Sequence, residues 1–160
     1  MKKRALPVNL VVIHHSASND VSSTFHDLIN ERKRRNEGYN FIIDDTGNPN
    51  DGKADAVQDV PDDEISNGVY GVNSIAWNVC VDGNFEISHP TNDEVEKLCQ
   101  VIAAKCLRWG WRKKDAEKII THRDAGMNYS KEKYVTACPG KNLISKIECI
   151  RNRVKSYLPD

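Results

Sequence analysis

The chain has 160 residues, and its 23 lysines and arginines are balanced by 23 aspartates and glutamates, for a formal net charge of zero. That length suits one domain with a full hydrophobic core, residues 1–160, and leaves two domains cramped. The charge balance excludes a global field that would draw the protein to nucleic acid or an anionic membrane, and no run approaches the ~20 apolar residues of a membrane span.

Residues 1–8 are expected to be a basic, frayed start. Met1-Lys2-Lys3-Arg4 is charged like the start of a secretion signal. However, the following stretch is interrupted by Pro7 and Asn9, so no cleavable segment is expected and the protein is read as made in the cytoplasm. Asn9 to His15 is a continuous run rich in leucine and β-branched residues, which suits a central strand covered on both faces. Period-two alternation sends His14 and His15 to opposite faces. Ser22 or Ser23 can cap a helix carrying Phe25, Leu28 and Ile29, which ends in Arg32-Lys33-Arg34-Arg35 as a solvated basic end.

Gly38 turns the chain into a strand at Tyr39 to Ile43. Asn48 to Gly71 is acidic and rich in Gly, Asn and Pro, and reads as a long irregular connection with one short strand near Ala56 to Val60. Ser74 to Val81 is a third strand, closed by the turn signal Asp82-Gly83-Asn84. Thr91 and Glu94 form a capping box. The helix it opens carries Val95, Leu98, Cys99, Ile102 and Cys106 on one face and stops at Gly110. Lys118 to His122 is a further strand, and Asn142 to Leu158 a final helix. Strands alternating with helices give an α/β fold with a mixed central β-sheet flanked by helices.

The five cysteines, Cys80, Cys99, Cys106, Cys138 and Cys149, are odd in number and irregularly spaced, which fits a reducing compartment better than a disulfide framework. Cys99 and Cys106 fall on an apolar helix face and read as small core residues. Cys138 differs, because Thr136-Ala137-Cys138-Pro139-Gly140 is a turn, and it follows Thr121-His122-Arg123-Asp124 at a strand end. With a histidine from the first strand, these residues offer three zinc ligands. Three protein ligands plus one open position is the arrangement of a catalytic zinc.

Four blocks, in order, carry a resemblance: Val12-Ile13-His14-His15-Ser16-Ala17, Gly38-Tyr39-Asn40-Phe41-Ile42-Ile43, Asn73-Ser74-Ile75, and Thr121-His122-Arg123-Asp124 with Thr136-Ala137-Cys138-Pro139-Gly140. Together they resemble the type 2 N-acetylmuramoyl-L-alanine amidases, the superfamily of phage lysozyme-type endolysins and peptidoglycan recognition proteins. The resemblance implies a zinc enzyme, with one Zn2+ per chain, that cleaves the amide between N-acetylmuramic acid and L-alanine in peptidoglycan. It implies His14, His122 and Cys138 as ligands, with His14 preferred over His15. Tyr39 and Thr136 would be catalytic, and Asn67 and Asn73 would lie on the substrate side. A monomeric endolysin that reaches the wall after release is the expected form. The alternatives are a non-catalytic muropeptide-binding protein and an amidase that also inhibits an RNA polymerase. The sequence departs from the pattern at Ala76-Trp77, where a glycine is usual, and in a long loop between Asp124 and Thr136 that carries Tyr129 and Tyr134.

Overall fold

The computed structural model describes residues 2–18, 38–45 and 53–160. The helix expected around residues 22–35 lies outside the described residues. Five strands, β1 (Leu10–His15), β2 (Phe41–Asp45), β3 (Ala54–Gln58), β4 (Ala76–Val81) and β5 (Ile119–Thr121), form one sheet in the order β3-β2-β4-β1-β5. β1 runs parallel to β4 and β5, β2 runs parallel to β4, and β3 runs antiparallel to β2. Among the described residues the helices are α1 (Asn92–Arg108), α2 (His122–Asn128), α3 (Lys141–Ile144) and α4 (Ile147–Lys155), with a 3-10 helix at Lys113–Lys118. This is the expected mixed sheet flanked by helices.

All six residues of β1 are buried, as its unbroken apolar run requires, and alternation divides them between two cores. Val11 and Ile13 join Trp77, Val79, Val81 and Ile119 under α1 and α4. Leu10 and Val12 join Ala76, Ile120, Val72 and Ala125 on the other face. α1 starts where the sequence places it, with Thr91 and Glu94 capping each other's backbone amides. Its buried stripe contains Val95, Leu98, Cys99, Ile102 and Cys106, and burial pushes both thiols up to about 12, so these cysteines behave as inert apolar fillers. Leu98 has no exposure. Leu98→Ala is expected to cost about 2–5 kcal/mol, read as a lowered urea midpoint with unchanged slope.

Several boundaries differ from expectation for local reasons. β4 begins at Ala76, two residues late, because residues 69–76 are wound into turns in which Ile75 N–H bonds Val72 O and Ala76 N–H bonds Asn73 O. β3 runs two residues earlier than expected, its first amide, at Ala54, being held by the Asp93 carboxylate of α1. The last strand stops at Thr121: its hydroxyl accepts from Asp124 N–H, which makes Thr121 a helix cap and His122 the first residue of α2. The final helix is split at Ser145 and Lys146, where the Ser145 hydroxyl donates to Asn142 O and competes with the helical ladder. The chain start is anchored, not frayed. Lys3 bridges to Glu64, and the Arg4 guanidinium donates to the carbonyls of Asp62, Glu64 and Ala76. Among the described residues, no helix is long and apolar enough to cross a membrane.

Candidate metal centre

Register sets the centre. β5 pairs with β1 so that Thr121 lies beside Ile13, and the next residue, His122, therefore emerges next to His14. Their ring centroids are 4.7 Å apart. Cys138 arrives from the loop after α2. Its carbonyl accepts from Arg123 N–H at 3.0 Å, which ties the segment carrying the thiol to the one carrying His122. The turn is wedged further by Gly140, with φ of +91°, where a Cβ would lie 2.4 Å from the carbonyl carbon of Phe85; any side chain there would push the loop off its seat.

One ligating atom from each of His14, His122 and Cys138 falls within 4.8 Å of the other two. The His14 Nδ1 to Cys138 Sγ separation is 3.9 Å, close to the roughly 3.3–3.7 Å that zinc bonds of 2.0–2.3 Å impose on tetrahedral donors. The second ring nitrogens are already engaged: His14 Nε2 meets Asn78 Oδ1 at 2.8 Å, and His122 Nε2 meets the Tyr134 hydroxyl at 2.9 Å. His122 Nδ1 is buried with no hydrogen-bond partner, an orphaned lone pair of the kind a metal ion would satisfy. Burial, with a smaller contribution from the charge of His15, lowers the pKa of His122 to about 4, so the ring is neutral and able to coordinate at physiological pH. Two imidazoles and a thiol fit zinc.

His15 points the other way, as alternation demands. It is 7% exposed, its Nδ1 accepts from Phe85 N–H at 3.2 Å, and its ring packs beside Phe85. Burial lowers its pKa. His15→Ala is expected to leave zinc uptake unchanged in equilibrium dialysis while costing about 1–3 kcal/mol of stability from the unpaired Phe85 amide and lost packing.

Tyr39 lies just before β2, 8% exposed, with its ring 5.0 Å from that of His14 and packed with Ile42 and Cys80. Phe41 packs on Trp77, in the core of the opposite face, so Tyr39 is not a strand aromatic stacked beside Phe41. Thr136 is half-buried, and its hydroxyl oxygen accepts from Cys138 N–H at 3.2 Å, which leaves the hydroxyl proton to donate elsewhere. Asn67 is exposed on the loop beside the site. Asn73 uses its side-chain carbonyl on the amides of Gly68 and Val69, so the role the structure gives it is to hold that loop.

Sequence reasoning missed the groups behind the candidate ligands. Asn78 and Tyr134 touch His14 and His122 directly, and Asn78 leads to Ser66 and Asn40. The one available signal was Asn78 itself, a carboxamide in the middle of an otherwise apolar strand.

A mixed sheet that gathers two imidazoles and a thiol at the carboxyl ends of its strands defines an α/β fold shared with solved bacterial amidases and insect recognition proteins. The N-acetylmuramoyl-L-alanine amidase LysC from Clostridium intestinale URNW superposes with a TM-score of 0.67 at 22% identity, covering 91% of this chain and 85% of that one. The Staphylococcus aureus hydrolase AmiA, solved with its ligand, gives a TM-score of 0.72 at 18% identity over 98% of this chain and 78% of its own. Wild-type PGRP-LB from Drosophila gives 0.66 at 18% identity over 92% and 83%. No curated protein matches the sequence. The chain belongs to the N-acetylmuramoyl-L-alanine amidase family, whose sequence profile it matches over residues 4–141.

Proposed function

We propose that this protein is a zinc-dependent hydrolase that cleaves the amide between the lactyl group of N-acetylmuramic acid and L-alanine in bacterial peptidoglycan, acting as a monomeric endolysin-type enzyme on the cell wall. The observation that carries the reading is the meeting of His14, His122 and Cys138, with the Nδ1 of His122 buried and unpaired. Family membership supplies the reaction class.

His14, His122 and Cys138 would hold one zinc ion, and the thiolate adds a negative ligand that tightens it. Zinc bound there supplies Lewis acidity toward the scissile carbonyl and hydroxide at neutral pH. The chain's own residues do the rest. Tyr39, beside His14, donates its phenolic proton to the oxygen that becomes negative as the amide carbon turns tetrahedral. Thr136, whose hydroxyl oxygen accepts from the Cys138 amide, offers a second donor. A phenol of pKa near ~10 is a poor base at neutral pH, which favours the donor role for Tyr39. Asn67, exposed on the adjoining loop, is assigned to the substrate side. Retention of the cysteine disfavours a protein that binds muropeptide without cutting it.

Purified protein incubated with purified cell walls should release stem peptides bearing a free L-alanine amino group, and a chelator should stop the release. New glycan reducing ends would identify a glycosidase and defeat the assignment.

A further inference from the structure

Behind the metal centre, four side chains with almost no exposure form one hydrogen-bonded row: His14 at 1%, and Asn78, Ser66 and Asn40 each at 0%. The orientation of every group in it follows from backbone atoms whose roles are not negotiable. The Asn40 Nδ2 faces the carbonyls of Val60, Pro61 and Glu64, at 3.3, 3.1 and 3.3 Å, and carbonyls only accept. Its Oδ1 therefore faces inward, where it accepts from Asn78 N–H at 3.0 Å and meets the Ser66 hydroxyl at 2.8 Å. Ser66 has one proton, and Asn40 Oδ1 cannot donate, so that proton lies in this contact. The Ser66 oxygen is then an acceptor toward Asn78, 2.9 Å away, and the Asn78 group facing it must be Nδ2.

A second constraint agrees. Asn73 Oδ1 is fixed as an acceptor by the amides of Gly68 and Val69, and it too faces Asn78 Nδ2, at 3.4 Å. The remaining Asn78 atom, Oδ1, faces His14 Nε2 at 2.8 Å and can only accept. In the neutral ring the proton is thus on Nε2, and Nδ1 is bare on the side of the Cys138 sulfur, 3.9 Å away.

We propose that Asn78 is the positioning residue of His14: oriented by Ser66 and Asn40, its side-chain carbonyl holds the Nε2 proton and so presents a bare Nδ1 to the metal ion. The proposal rests on the zinc reading above and adds the residues that fix the tautomer and ring plane of one ligand. Partners of this kind raise the basicity of a ligating histidine, and losing them typically weakens metal binding ~10–100-fold. The same row ties the ligand to the loop of residues 61–68, and Gly68 is pressed against it: a Cβ there would sit 2.4 Å from the Asn78 Cγ.

Zinc affinity of the full chain, measured by competition with a chromophoric chelator, should fall ~10–100-fold in Asn78→Ala. It should return to the wild-type level in Asn78→Asp, which restores an acceptor and lets the Ser66 proton turn toward it. Wild-type affinity in Asn78→Ala, or equal weakness in both variants, would overturn the proposal. If Asn78→Ala shows no cooperative melting, the decision passes to the metal-free wild type, in which a long-range proton–nitrogen spectrum of the imidazoles should show His14 protonated at Nε2. A proton on Nδ1 would overturn it. Wild-type protein that takes up no zinc would sink the hydrolase reading while leaving the tautomer measurement to stand or fall by itself.

Discussion

Cys138→Ala is expected to fold, to lose its zinc and to lose activity with it. The thiol is half-buried at a turn whose shape is set mainly by backbone bonds and by Gly140, and its sulfur adds one weak contact by accepting from His15 N–H at 3.4 Å. The metal-free variant should therefore melt within about 1 kcal/mol of the metal-free wild type. Zinc binding is another matter, because the sulfur is the centre's one anionic donor among the three. Its removal leaves two imidazoles as the remaining donors, and the loss should exceed the ~10²-fold that deletion of a mere supporting partner causes. Dialysis against zinc followed by metal analysis reads the stoichiometry, expected near one for wild type and near zero for the variant. Full occupancy in Cys138→Ala would remove the thiolate from the centre.

Tyr39→Phe should separate binding of the metal from use of it. The ring stays packed against Ile42 and Cys80 and beside His14, so folding and zinc content should match wild type. The missing hydroxyl removes a donor to the developing oxyanion, and turnover on a soluble muropeptide should fall ~10²–10³-fold with KM little changed. Undiminished turnover would show that Tyr39 is only part of the wall around His14.

Part of the cluster's geometry was legible in the sequence because strand physics places it, while the choice of His14 over His15 came from the family resemblance. An unbroken apolar run ending in two histidines predicts a central strand and, by alternation, one ring on each face, and β1 has that form. The α1 boundary was legible as well, since the Thr91–Glu94 box is a local signal read over four residues. The row behind His14 was hidden because Asn40, Ser66 and Asn78 come from three segments whose sequence separation carries no period; only the β2–β4 pairing and the 61–68 loop bring them together. The anchoring of the basic start through Arg4 was hidden for the same reason, since its acceptors are backbone carbonyls about 60 to 70 residues away. His122 was carried one residue too far along a strand because apolar periodicity does not register a threonine cap.

The most direct measurement is X-ray absorption at the zinc edge of the purified, zinc-loaded protein. The account predicts a first shell of two nitrogens near ~2.0–2.1 Å from imidazole, one sulfur near ~2.3 Å, and one light-atom position open to solvent. A shell with no sulfur, with two or more sulfurs, or with a third imidazole closing the site would contradict it.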